Sequence, residues 1–136
     1  MKTIHCAQSK VPCRYWRTWI EALVESGFKV NRIEPDVLET ATFRVGGGEA
    51  ILLDGMTPRL NEILHGSVMR FPDACIVVAT VVGPNTSRYD AIRCCGQMYS
   101  SKTLPTDQFA ESLRGIFAAL LSNSNNKGNR NAAIRT

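Results

Sequence analysis

The sequence predicts a doubly wound α/β domain: a five-stranded parallel sheet in the order 2-1-3-4-5, with helices on both faces. Three observations predict it. Short apolar runs alternate with helix-period segments along the chain from residue 2 to about residue 122. Two of the runs, "AILLD" (50–54) and "ACIVVAT" (74–80), are continuously apolar, the mark of parallel strands covered on both faces. Strand and helix patterns come in strict alternation, and right-handed crossovers then bring successive strands into one parallel sheet.

The elements follow in chain order. "KTIHC" (2–6) reads as the first strand. Trp16, Trp19, Ile20, Leu23 and Val24 share one face of a helix near residues 12–26, which Gly27 closes. "FKVNRI" (28–33) is the second strand, and "PDVLETATFR" (35–44) opens on Pro35 and acids suited to a first helical turn. After "AILLD", "RLNEILHGSVMRF" (59–71) is the third helix. After "ACIVVAT", "SRYDAIRCC" (87–95) reads as the fourth helix, and "QMYSS" (97–101) as the fifth strand. Phe109, Leu113, Ile116, Phe117 and Leu120 stripe a fifth helix over about 106–122.

A chain of 136 residues with 44% hydrophobic and 21% charged content fits one domain with a real core. No apolar run approaches the roughly 20 residues needed to cross a bilayer. The opening "MKTIHCAQSK" has neither a long apolar stretch nor a small-residue cleavage pattern, so the expected compartment is the cytoplasm and no membrane partner is expected. Five cysteines, none with metal-site or redox spacing, read as reduced thiols. The adjacent pair Cys94 and Cys95 is strained for a bridge. Most of the net charge of +4 lies in the last 14 residues, because residues 1–122 hold 13 bases against 12 acids. No basic face for nucleic acid is evident there. Residues 1–122 are therefore the domain, and 123–136, "NSNNKGNRNAAIRT", a flexible tail or linker.

The apolar third strand stops on Asp54. A carboxylate at the end of a buried strand is costly unless something outside the apolar layer uses it. In doubly wound sheets, sites gather outside the carboxyl ends of the strands, where strand order reverses. Thr80 closes the fourth strand and Lys102 follows the fifth, so a carboxylate, a hydroxyl and an ammonium converge on one rim. That set suits phosphoryl transfer, with the carboxylate as nucleophile and the other two stabilising phosphoryl oxygens. His5 and His65 lack metal-ligand spacing, and "VGGGEA" precedes a strand and so reads as a turn.

"LLDGMTP", with Pro58 four residues after the aspartate, Thr80 at the end of "CIVVAT", and "YSSKTLP" before an amphipathic last helix together resemble the receiver domains of bacterial two-component response regulators, the LuxR-type regulators in particular. The resemblance spans residues 2 to about 121 and implies a flavodoxin-like fold. It places Asp54 at the phosphoacceptor position, Thr80 and Tyr99 at the switch positions, and Lys102 at the phosphate-contacting lysine. Receivers also carry two acidic residues after the first strand, which hold magnesium with the phosphoacceptor. Here that place reads "HCAQSK", with Ala7 and Gln8 at the acidic-pair position and no acid at all. Magnesium needs hard carboxylate oxygens, so its binding is expected to be lost and no cofactor is expected.

The resemblance thus implies an atypical receiver, a regulatory domain of a transcription regulator and not an enzyme. It would act without magnesium-dependent phosphorylation, through a homodimer or contact with a partner protein or a DNA-binding domain beyond this chain. The dimer is expected through the first and fifth helices or through a face holding Tyr99 and Phe109. Asp54, left without a metal, is expected to pair with Lys102, or failing that with Lys10. Two alternatives stand beside this: a phosphorylation-competent receiver that still uses Asp54, and a small-molecule sensor whose vacated pocket, flanked by Gln8, Ser9 and Lys10, takes an anion. A small flavodoxin-like enzyme is the weakest, because no nucleophile and base pair is found beyond Asp54 and Lys102.

Overall fold

The computed structural model describes residues 2–93 and 98–134. One sheet of six strands forms the centre: β1 (Thr3–Ala7), β2 (Lys29–Ile33), β3 (Ala50–Asp54), β4 (Cys75–Gly83), β5 (Thr86–Arg93) and β6 (Met98–Pro105), in the order β2-β1-β3-β4-β5-β6. Pairings β1–β2, β1–β3 and β3–β4 are parallel, as the apolar runs predict. Pairings β4–β5 and β5–β6 are antiparallel, so the sheet is mixed and not the expected five-stranded parallel one.

The difference originates in residues 87–95, read as a helix from sequence. Ser87, Tyr89 and Ala91 are buried, while Arg88, Asp90 and Ile92 between them are only partly covered. That is a period of two, the alternation of a strand with one covered face. Pro84 and Asn85 make the connection between β4 and β5 too short for a crossover, and a short connection imposes antiparallel pairing. The strand expected at 97–101 is β6, which pairs outside β5 at the sheet edge instead of beside β4. Cys94 and Cys95 lie outside the described residues.

Helices α1 (Trp16–Glu25) and α3 (Thr106–Ile134) cover one face, and a 3₁₀ turn (Pro35–Glu39) and α2 (Leu60–Arg70) cover the other. In α1, Trp16, Trp19, Ile20 and Leu23 recur at helical spacing and are all buried. Its end is fixed by Gly27 at φ 93, whose N–H reaches Val24 O at 3.0 Å while Phe28 N–H reaches Leu23 O at 3.2 Å. This six-to-one and five-to-two pair closes the helix and needs a residue free to take positive φ. The helix expected over 35–44 is reduced to the 3₁₀ turn, with only Leu38 buried. The backbone of α3 is helical to Ile134, through most of the segment that composition assigns to a flexible tail.

Two apolar layers result. Ile4, Leu52, Val77, Tyr89 and the α1 and α3 aromatics form one; Ile51, Leu53, Ile63, Phe71, Ile76 and Val78 form the other. Trp19 and Phe109 pack with ring centroids 4.5 Å apart, which ties α1 to α3. Among the described residues, no helix is long and apolar enough to cross a membrane.

Candidate functional site

Chain order reverses at β1, which has β2 on one side and β3 on the other. The crevice outside the carboxyl ends of β1 and β3 is where a doubly wound sheet places its site. Asp54 is the last residue of β3 and shares a face with Ala50 and Leu52, so its side chain enters the layer beneath α1. It is completely buried.

Five donors from three residues in two segments surround its carboxylate. Ser9 donates to Oδ2 through its hydroxyl at 2.8 Å and its N–H at 3.4 Å. Cys13 donates to Oδ1 through its thiol at 2.7 Å and its N–H at 3.3 Å, and Met56 N–H donates to the same oxygen at 3.0 Å. A carboxylate has about four lone-pair sites, so all are taken. The donors come from the loop after β1 and the turn after β3, both of which must pass here because the two strands are adjacent and parallel. The turn is itself anchored, with Thr57 donating from N–H at 3.0 Å and from its hydroxyl at 2.6 Å to Asp54 O. Arg59, at φ 58, holds the turn's far end through two bonds to Glu39 and two to Glu62.

Burial, and then the hydrogen bond to Asp54, push the Cys13 thiol up to about 11. Cys13 is therefore a protonated donor near neutral pH, the form that a buried carboxylate requires. Thr80 belongs to the same cluster: its hydroxyl is 3.9 Å from Cys13 Sγ. Gly55 makes this approach possible, because a Cβ there would lie 2.3 Å from Thr80 Cβ.

Lys102 and Tyr99 are elsewhere. Asp54 pairs across the sheet with Ala79, Ala79 with Tyr89, and Tyr89 with Lys102. Three strand spacings separate the aspartate and the lysine, roughly 14 Å at about 4.8 Å each. The expected Asp54–Lys102 pair is therefore absent, and so is the fallback with Lys10, which is exposed. The inserted strand β5 is the physical reason: it moves β6 one place further from β3. Tyr99 is 63% exposed, and its hydroxyl donates to Asp90 Oδ1 at 2.7 Å. It stands beside Ile92, on the opposite side of the sheet from Tyr89 and Phe109. Tyr99 and Phe109 consequently do not share the face that the sequence reading gave them.

The residues at the acidic-pair position do not fit magnesium. Ala7 is buried and offers only a methyl group. Gln8 has one side-chain acceptor oxygen, and Trp16 Nε1–H donates to it at 3.0 Å. The Asp54 oxygens face five donor hydrogens, an arrangement that repels a cation. Among the described residues, no three His, Cys, Asp or Glu side chains group as metal ligands.

Sequence reasoning missed Ser9 and Cys13 as partners of Asp54, although "HCAQSKVPC" had to lie beside the end of β3 once β1 and β3 were neighbours. It also treated His5 as a lone histidine. His5 is buried between Glu49 Oε1 at 2.8 Å and Asn31 Nδ2 at 3.0 Å, and the Phe43 ring packs edge-on at 5.2 Å. No family model, curated protein or solved structure matches this chain.

Proposed function

We propose that the chain is an atypical receiver-like regulatory module, not an enzyme, in which Asp54 organises the β1/β3 crevice instead of accepting phosphate. One observation carries this reading: every lone-pair direction of the Asp54 carboxylate faces a donor from Ser9, Cys13 or Met56. A nucleophile must direct a free lone pair at phosphorus, and the developing charge must meet a cation or a metal. Here the lone pairs are occupied and Lys102 is three strands away. The β2-β1-β3-β4 half of the sheet, with Asp54 at the carboxyl end of β3, supports the receiver-like part of the reading; Thr80 does not close the fourth strand as expected, because β4 runs on to Gly83 in its pairing with β5.

The output of such a module is association, as a homodimer or with a partner protein or DNA-binding domain. The residues that the sequence offers for a surface between α1 and α3, Trp16, Trp19, Phe109, Leu113 and Phe117, are all core. The better surface is the side of β5 and β6 that bears Arg88, Asp90 and Tyr99, where the expected fourth helix would have lain.

Intact-mass spectrometry after incubation with acetyl phosphate and magnesium tests the reading. The expected spectrum has no phosphoryl adduct. A stoichiometric adduct on Asp54 would establish the phosphorylation-competent alternative.

A further inference from the structure

Beside the Asp54 cluster, and sharing Cys13 with it, lies a cavity of about 550 Å³ at the carboxyl ends of β1 and β2. Its lining includes Gln8, Arg14, Trp16, Arg17, Glu21 and Arg32. We propose that this cavity binds a small phosphorylated molecule, with Arg14, Arg17 and Arg32 holding the phosphate. The inference does not rest on the receiver-like reading.

Three arginines from three different elements line one concavity: Arg14 from the loop after β1, Arg17 from α1 and Arg32 from β2. Among the described residues Glu21 is the only acid in the lining, against three arginines, so the described lining is cationic. Glu21 is committed to Arg17 at 3.2 Å, in a pair with side chains 90% and 56% exposed. A pair so exposed is worth little, and Arg17 can leave it for a doubly charged phosphate. Arg32 makes no ion pair among the described residues. Arg14 rests over the Tyr15 ring at 5.4 Å, a contact that leaves its charge unneutralised.

The floor is also set for an anion. Trp16 Nε1–H fixes the Gln8 amide by occupying its oxygen, which leaves the NH₂ end as the free donor. Arg14 and Arg17 sit at the amino end of α1, whose first turn contains no acid. Cations at that end of a helix cost stability, and a bound anion offsets the cost. The planar forks match phosphate oxygens in pairs, a geometry that lysines do not offer. The flank that the sequence reading chose for an anion was Gln8, Ser9 and Lys10. Of these only Gln8 lines the cavity, because Ser9 is spent on Asp54.

Calorimetric titration of the full chain with inorganic pyrophosphate at low salt, repeated with adenosine monophosphate, tests the proposal. The expected result is saturable one-to-one binding, weakened roughly tenfold or more in Arg32→Gln and in Arg14→Gln, as the loss of one charge-assisted bond implies. All three arginines are exposed, so the variants should melt like the parent. Lys102→Gln should bind like the parent. No saturation at millimolar pyrophosphate, equal binding in Arg32→Gln, or an equal loss in Lys102→Gln would overturn the site. Tighter binding of a single-stranded RNA oligonucleotide that resists competition by pyrophosphate would also overturn it, in favour of a nucleic-acid surface. Since the readout is affinity and not the mass of Asp54, its failure is distinct from failure of the receiver-like reading.

Discussion

The Cys13 thiol lies 2.7 Å from Asp54 Oδ1, so a sulfur and a completely buried carboxylate share one hydrogen bond at the β1/β3 crevice. The contact joins residues 41 positions apart and seals the loop after β1 onto the end of β3. Burial and that bond push the thiol up to about 11, and burial pushes Cys6 up to about 12. Both are thiols, not thiolates, near neutral pH, and the thiolate is the nucleophile. Iodoacetamide followed by peptide mapping should leave Cys6 and Cys13 unmodified in the native protein and label both in urea. Rapid native labelling of Cys13 would contradict the contact.

The same shifts set an alkaline limit. A thiol whose folded value is raised contributes stability that is fully present below its unfolded value, near 9, and is lost as pH rises toward the folded one. Urea midpoints should therefore fall between about pH 9 and 11. In Cys13→Ser that fall should be smaller, because one of the two raised thiols is gone.

Removing the acceptor should cost more than removing a donor. Asp54→Asn replaces one oxygen by an NH₂ group that faces donors, leaving them without a partner in a dry site. The expected loss is about 2 to 3 kcal/mol. Ser9→Ala deletes the shortest oxygen donor, and about 1.5 to 3 kcal/mol is the scale for a bond to a charged group, with the remaining Ser9 N–H placing it at the lower end. Chemical denaturation of both variants gives the comparison, and a parent-like Asp54→Asn would remove the organising role.

What the sequence made legible was the parallel half of the fold, and with it the position of Asp54. Continuous apolar runs in β3 and β4 and the stripe on α1 carried that information, because burial on both faces of a strand, or on one face of a helix, is written directly in residue type. What it did not show was β5. Tyr89 and Ile92 also fit a helical spacing, and the true period of two, with Ser87, Tyr89 and Ala91 on one side, emerges only when α3, through Phe109, covers that side. The Gly-Pro-Asn turn was the local sign of a hairpin. Missing it also misplaced Lys102, and so the partner assigned to Asp54. Hydrogen bonds between Asp54 and Cys13 span loops of unknown path and have no periodic trace in sequence.

An acid limit follows from β1. The hydrogen bond from His5 lowers the Glu49 carboxyl below its ordinary 4.5, and the N–H of Gly46 adds to this. A carboxyl with a lowered folded value contributes stability that is present above its unfolded value and lost as pH falls through the folded one. Glu49→Gln should therefore be less stable than the parent near neutral pH, with the two curves converging below about pH 4.5. The Glu49 side chain is 31% exposed, so solvent screening keeps the difference small. Parallel curves down to low pH would mean that Glu49 contributes by packing alone.

Gly55 and Thr80 give the sharpest steric test of the crevice. A Cβ on Gly55 would lie 2.3 Å from Thr80 Cβ, 2.7 Å from its Oγ1 and 3.1 Å from Ala79 O. Neither Cβ can move without its backbone, and the Gly55 backbone is tied to Ala79 O by its own N–H at 2.8 Å. Gly55→Ala should therefore destabilise by about 1 to 3 kcal/mol, the range for overpacking. Thr80→Ser should not rescue it, because serine keeps the Cβ that is closest. Thr80→Gly should recover part of the loss in the double variant, since it removes both nearest atoms, although it weakens β4 by about 1 kcal/mol on its own. The double-mutant cycle isolates the clash from those separate costs. A coupling energy near zero by urea denaturation would show that the strand end and the turn do not meet as described, and would release the Asp54 turn from its place against β4.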